Sequence, residues 1–164
     1  GLNLILAAKI RGAGKIVVAD KVSAKRFPVE DMGAEFRNDL RFGLFEMFDV
    51  VIDTSGSTDA LEWSSRHICP SGCLIMVGQP KEGESMRVPN ARTMFDGSGK
   101  TIMATQGGRF SPSQDIGRYI AAWRAGRLNL DGLVTHRLPL ERINEGLDLV
   151  RKGHAGRVMI DCQE

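Results

Sequence analysis

The sequence predicts an α/β fold built on an incomplete, doubly wound parallel sheet, and three observations carry that prediction. Residues 49–54, 58–68 and 73–78 read in turn as strand, helix and strand, the rhythm of right-handed βαβ units. Asp49-Val50-Val51-Ile52-Asp53-Thr54 is a continuous apolar run of the kind buried on both faces of a parallel sheet. An apolar helix opens the chain and leads into a β-branched strand that ends in an acid.

In that first helix, residues 2–11, Leu2, Leu4, Ile5, Leu6, Ala7, Ala8 and Ile10 leave only Asn3 and Lys9 polar before Arg11, so it is expected to be nearly buried. Gly12-Ala13-Gly14 ends it. Lys15-Ile16-Val17-Val18-Ala19-Asp20 follows as a strand with a carboxylate at its C-terminal tip, where open α/β sheets hold ligands. Gly1 and Asp20 are nineteen residues apart. That is close to the separation between the last glycine of a dinucleotide fingerprint and the acid that takes the ribose hydroxyls. The fingerprint also needs a preceding strand and two earlier glycines, which this sequence does not include, so the expected sheet lacks its first strand. Ser23 caps a helix to about Met32, with Gly33 as its stop and Pro28 kinking or shortening it. Ala34 to Arg37 fits a brief strand, and residues 38–48 leave room for only a very short crossover helix.

Beyond the 49–54 strand, Ser55-Gly56-Ser57 has two readings of equal weight: a glycine on which a flat ring can lie, or a plain turn before the helix that starts at Thr58. Cys73 to Gly78 is the next strand, Ser85 to Val88 fits an edge strand, and Thr101 to Thr105 is a further strand leading into Gln106-Gly107-Gly108. Ser111-Pro112 opens a helix to about Gly126, with Ile116, Ile120 and Trp123 on one face. A last helix runs from Leu140 to Gly153 with Leu140, Ile143, Leu147 and Val150 at helical spacing, and Arg157 to Asp161 ends the chain as a strand.

Composition sets limits. With 164 residues, 42% hydrophobic and 26% charged, the chain can bury a sizeable core. A net charge of +2 without a basic run argues against nucleic acid or an anionic membrane as partner, and the longest apolar stretch is too short to span a bilayer. Three cysteines at unremarkable spacings suit reduced thiols in the cytoplasm. His67, Cys69 and Cys73 could be imagined as metal ligands, but Cys69-Pro70-Ser71-Gly72-Cys73 reads as a helix end, a turn and a strand start, so no metal site is predicted there. No nucleophile with a base at hand and no suitable carboxylate pair stands out, so no catalytic residue is predicted either.

Gly1-Leu2, Val18-Ala19-Asp20, Val51-Ile52-Asp53, Met76-Val77-Gly78, Gln106-Gly107-Gly108, the run from Leu133 to Gly146 and Gly156-Arg157-Val158 together resemble the C-terminal half of medium-chain, zinc-dependent alcohol dehydrogenases. The most specific part is Thr135-His136-Arg137-Leu138-Pro139-Leu140 with Ile143-Asn144-Glu145-Gly146. The resemblance implies that residues 1–105 are an N-terminally truncated, Rossmann-like NAD(P)-binding domain and residues 106–164 a returning segment of the catalytic domain. It implies an oxidoreductase, active in the intact protein and not as this fragment, that moves hydride between an alcohol or aldehyde and NAD. Asp20 would take both adenosine ribose hydroxyls, favouring NAD over NADP, with Lys25 helping to hold the ribose and Gly1 at the helix start. Thr54, Ser55 and Gly56 would line the adenine cleft. Val77, Gly78 and Gln79, with Ala104 and Gln106, would meet the nicotinamide ribose and carboxamide, and Arg157 the pyrophosphate. The family's zinc ligands and proton relay lie on an N-terminal segment that this sequence does not contain, and His136 and His154 match none of them. The stretch between Gly33 and Asp49 is shorter than the family pattern, which leaves the outer strand order open. In the family, sheet edges near 85–88 and 101–103 pair across a dimer, so a homo-oligomer is expected, and the isolated chain should be marginal or aggregation-prone. The competing reading is a non-catalytic nucleotide-binding or protein-interaction module on the same scaffold.

Overall fold

A computed structural model describes residues 1–39, 46–95 and 99–162. In chain order its elements are α1 (Leu2–Ile10), β1 (Val17–Ala19), α2 (Arg26–Asp31), β2 (Glu35–Arg37), β3 (Phe48–Asp53), α3 (Thr58–Ser65), β4 (Ile68–Met76), β5 (Thr101–Ala104), α4 (Pro112–Arg124), β6 (His136–Pro139), α5 (Ile143–Arg151) and β7 (Val158–Asp161). Every strand pairing among the described residues is parallel: β1 with β2, β4 between β3 and β5, and β6 with β7. Helices alternate with these strands in the Rossmann-like α/β pattern that the sequence predicts. Two compact units result, Gly1–Asp39 with Ser111–Glu164, and Leu40–Phe110.

The first unit has its core where α1 and α2 meet β2. Ile5, Val29, Ala34 and Phe36 are buried there, with Leu2, Ile16, Val18 and Met32 packed around them. The expectation of a nearly buried first helix is corrected: only Ile5 of α1 is buried, and Ile10 is 48% exposed. One face of α1 packs on α2 and the core at Phe36, and Gly156 lies against Leu2, while Asn3, Ala7, Lys9 and Ile10 are exposed. Lys9, on the polar side, donates from Nζ to the Met32 carbonyl at 2.8 Å and so caps the C-terminal end of α2, where a cation suits the helix dipole. Pro28 shortens rather than kinks α2: a 3₁₀ turn over Ser23–Lys25 comes first, and Pro28 falls in the first α-turn, where its missing N–H needs no acceptor. The expected strand 15–20 narrows to the three residues of β1.

In the same unit, α5 packs against β6 and β7. Gly146 is its buried point: a Cβ there would lie 3.0 Å from Val158 Cγ1 and 3.3 Å from Leu138 Cδ1, so the missing side chain lets helix and sheet approach closely. The helical rows read from the sequence on the last two long helices exist but are not covered. Ile116, Ile120 and Trp123 of α4, and Ile143, Leu147 and Val150 of α5, are all exposed, as is Leu140 just before α5.

In the second unit α3 packs on β3 and β4 and buries Leu61, Ile68 and Leu74. Ser57 starts the helix as N-cap, its hydroxyl accepting from Ala60 N–H. The double-sided burial expected of the 49–54 run is not found, because Val50 is 55% exposed and the described helix covers one face only. The helix expected over 58–68 also stops early, at Ser65, and β4 begins at Ile68. The Pro70-Ser71-Gly72 turn therefore lies inside the strand as a wide bulge: Phe48 pairs with Ile68 but Val50 with Cys73, and Ser71 takes a left-handed φ of 59°. A bulge is where a strand tolerates proline. Ser85 to Val88 is not part of a sheet, since the Arg87 N–H is taken by the Glu62 carboxylate at 2.9 Å. Most of the 38–48 stretch, residues 40–45, lies outside the described residues.

Leu74 is fully buried at the centre of β4. Leu74→Ala is expected to cost about 3 kcal/mol, read as a lowered urea midpoint.

Candidate functional site

In the first unit the candidate residues gather at the end of β1. The Asp20 N–H continues the pairing with β2 by donating to the Arg37 carbonyl at 3.0 Å, so the residue is fixed to the strand tip. Its carboxylate folds back over the turn that follows: Oδ1 accepts from Val22 N–H at 2.9 Å and Oδ2 from Lys25 Nζ at 2.6 Å. This is an Asx turn completed by an ion pair, both partners partly exposed. Gly1 caps α1, its carbonyl accepting from Leu4 N–H.

Arg157 approaches the same helix start from the far end of the chain. A Cβ at Gly156, the residue before Arg157, would lie 3.2 Å from Leu2 Cδ1 and 3.3 Å from the Leu133 carbonyl oxygen, so Gly156 lies against the Leu2 side chain. The Arg157 carbonyl accepts from Thr135 N–H at 3.0 Å, which fixes the segment and leaves the guanidinium exposed. The unit thus combines a helix N-terminus, two cations and a strand-tip carboxylate, a set suited to a ligand with both anionic and hydroxyl groups. A cleft of about 550 Å³ lies alongside, lined by Lys25 together with Leu6, Lys9, Phe27 and His154, but Asp20 and Arg157 are not among its walls.

In the second unit the candidate residues sit on the loops after β3, β4 and β5. The centre of this arrangement is Asp53, which is 7% exposed and which sequence reasoning did not select. Oδ1 accepts from Ser55 N–H at 3.2 Å and Ser55 Oγ at 2.6 Å, and Oδ2 from Gly56 N–H at 2.9 Å. Its carbonyl accepts from both Val77 N–H at 2.8 Å and Gly78 N–H at 3.0 Å. The signal was present as Asp-Thr-Ser-Gly immediately after a strand, the pattern of an aspartate that holds its own turn. Thr54 and Ser55 are exposed on that turn, while Gly56 is buried with φ +67°. Between the two readings of Gly56, the turn has direct support: a Cβ there would collide with the Gln79 carbonyl oxygen, so the space is filled by protein backbone. Gly78 mirrors it, since a Cβ would fall on the Gly56 nitrogen and come within 2.7 Å of the Ser55 nitrogen. Ala104 and Gln106 are exposed at the end of β5, next to Thr105, whose Oγ1 accepts from Gly107 and Gly108 N–H and so shapes the third loop.

Among the described residues no three His, Cys, Asp or Glu side chains gather in a way that could hold a metal ion. His67 is buried and stacks on Trp63 at 3.8 Å, with Nδ1 2.7 Å from the Glu46 carbonyl oxygen. His136 pairs through Nδ1 with Thr135 Oγ1 at 2.9 Å.

The family model described as zinc-binding dehydrogenase matches residues 1–122. Among solved structures, benzyl alcohol dehydrogenase from Acinetobacter calcoaceticus superposes with a TM-score of 0.89 at 23% identity, over 99% of this chain and 47% of that one. An alcohol dehydrogenase zinc-binding domain protein from Burkholderia ambifaria gives 0.87 at 22% identity, over 99% and 46%. The alcohol dehydrogenase rspB from E. coli, solved in complex with NADH, gives 0.81 at 15% identity, over 98% and 49%. The chain therefore spans about half the length of the structures it resembles.

Proposed function

The chain belongs to the zinc-binding dehydrogenase family, and from that premise we propose that it is the coenzyme-binding portion of an NAD-dependent medium-chain alcohol dehydrogenase. The observation that carries the proposal is the Asp20 carboxylate, fixed at a parallel strand's tip and paired with Lys25. A carboxylate there accepts hydrogen bonds from a ribose diol and repels a 2′-phosphate, which favours NAD over NADP. Lys25 steadies that carboxylate, while Gly1 and Arg157 suit the pyrophosphate at the helix N-terminus. On the second unit the exposed Thr54 and Ser55 serve the adenine, with Gly56 holding their turn rather than meeting the ring, and Val77, Gly78, Gln79, Ala104 and Gln106 present backbone to the nicotinamide ribose and carboxamide. NAD, when bound, supplies the hydride acceptor.

In this reading residues 1–105 are the coenzyme domain and residues 106–164 a returning part of the catalytic domain. In this reading the metal that polarises the alcohol oxygen is held by another part of the intact enzyme, and the 164-residue chain alone is expected to turn over no alcohol. The outer edge of β5, where Met103 is 47% exposed, is the place for isologous pairing in a homo-oligomer. The free thiols of Cys69, Cys73 and Cys162 suit a reducing cytoplasm. The exposed apolar row on α4 favours a second reading, an interaction module without catalysis.

Titration of NADH into the 164-residue chain tests the proposal. The expected result is enhanced NADH fluorescence, reversed by ADP-ribose, with no alcohol-dependent NAD reduction. A folded chain, verified by circular dichroism, that leaves NADH fluorescence unchanged would overturn it. Restoring the preceding half separates the two readings: the enzyme gains turnover and the module does not.

A further inference from the structure

We propose that Asp53 is a positioning residue that sets two coenzyme-facing loops as one body, its carboxylate holding residues 54–56 and its carbonyl holding residues 77–78. The inference rests on the coenzyme reading for its ligand and on the geometry of the second unit for its mechanism. Three donors converge on the two carboxylate oxygens, from Ser55 N–H, Ser55 Oγ and Gly56 N–H, and two more on the carbonyl, from Val77 and Gly78 N–H. A buried acid with this many local donors is held in a single orientation. The two loops it binds are themselves in backbone contact where Gly56 meets Gln79 and Gly78 meets Gly56, with no side chain between them to absorb a shift. The chain of bonds continues outward: Ser55 Oγ accepts from Ser57 N–H at 3.1 Å, and Ser57 Oγ caps α3. A displacement of the Asp53 carboxylate therefore moves residues 54–56 and the helix start directly, and reaches residues 77–78 through the Gly56–Gly78 backbone contact. Neither loop has an independent anchor of comparable burial among the described hydrogen bonds.

Asp53→Asn keeps the shape but replaces one acceptor oxygen with an NH₂ group, which must face an N–H or O–H donor on one side or the other. Ser55→Ala removes the two bonds of one exposed hydroxyl, that to Asp53 Oδ1 and that from Ser57 N–H, and leaves the fold standing, with Ser55→Thr as its rescue. Ile68→Val, at the opposite end of β4, serves as a control that lowers thermal stability without touching the loops. Amide exchange and NADH titration are then followed on the 164-residue chain, well below each variant's melting temperature.

Asp53→Asn is expected to speed exchange at Val77 and Gly78 as well as Gly56 and to weaken NADH about tenfold. Ser55→Ala should show the same pattern in smaller measure, Ser55→Thr should restore it, and Ile68→Val should show none of it. Faster exchange confined to Gly56, or an equal loss of NADH affinity in Ile68→Val, would overturn the inference. Should the parent chain bind no NADH, the coenzyme reading fails, and the exchange at Val77 and Gly78 alone decides whether Asp53 couples the loops. If Asp53→Asn does not fold, the Ser55 pair carries the same comparison.

Discussion

Asp20→Gly weakens NAD about 10- to 100-fold and raises the affinity for NADP relative to NAD, read as dissociation constants for NADH and NADPH. The substitution removes a charged acceptor from the tip of β1 and with it the like-charge repulsion that a 2′-phosphate would meet. It also frees Lys25, whose ammonium is held 2.6 Å from Asp20 Oδ2, to face that phosphate. Two effects therefore push the NADPH-to-NADH ratio the same way. The carboxylate also closes the turn through Val22 N–H, so some loss of stability accompanies the change. Asp20→Asn separates the roles, because an amide oxygen can still accept from Val22 while the charge is gone. Equal weakening of both coenzymes by Asp20→Gly would make the residue structural, and the assignment of the ribose site would fail.

Gly78→Ala costs about 3 kcal/mol or more in unfolding free energy, measured by urea denaturation. The added methyl would fall on the Gly56 nitrogen and within 2.7 Å of the Thr54 carbonyl carbon, and all the atoms it meets are main chain. No rotamer change can relieve that collision. The 77–78 loop would have to lift, breaking the bonds from Val77 and Gly78 N–H to the Asp53 carbonyl. A tolerated alanine, with an unchanged urea midpoint, would contradict the close approach of the two loops.

The parts of the fold that were legible in the sequence are those set by local chemistry. Pro112 at the start of α4 and the glycines at 33, 126 and 153, each with positive φ, mark helix ends where the residues alone place them. β7 and the strand tip at Asp20 follow from short apolar runs bounded by turns. Burial was legible only in part, because periodicity shows which face of an element is apolar and not what covers it. The apolar sequence of α1 and the row on α4 are read correctly as helices, yet only Ile5 of α1 is buried and the α4 row is exposed among the described residues. The bulge in β4 was hidden for a different reason: Pro-Ser-Gly is a turn signal, and nothing local distinguishes a turn between elements from one inside a strand. Asp53 has no motif of its own: the glycine three residues on carries the ligand-contact signal in the sequence, whereas the nearer cause of the turn is the carboxylate that holds it.

The pairing register carries a consequence for how this chain is made. With only parallel ladders described, Val17 waits for Glu35, Val50 for Cys73 and His136 for Val158 before any rung can form. During synthesis each of these strands leaves the ribosome well before its mate, with its amides unsatisfied and its apolar side chains open to neighbouring nascent chains. A chaperone at the exit tunnel should therefore raise the yield of native material more than any change of buffer afterwards.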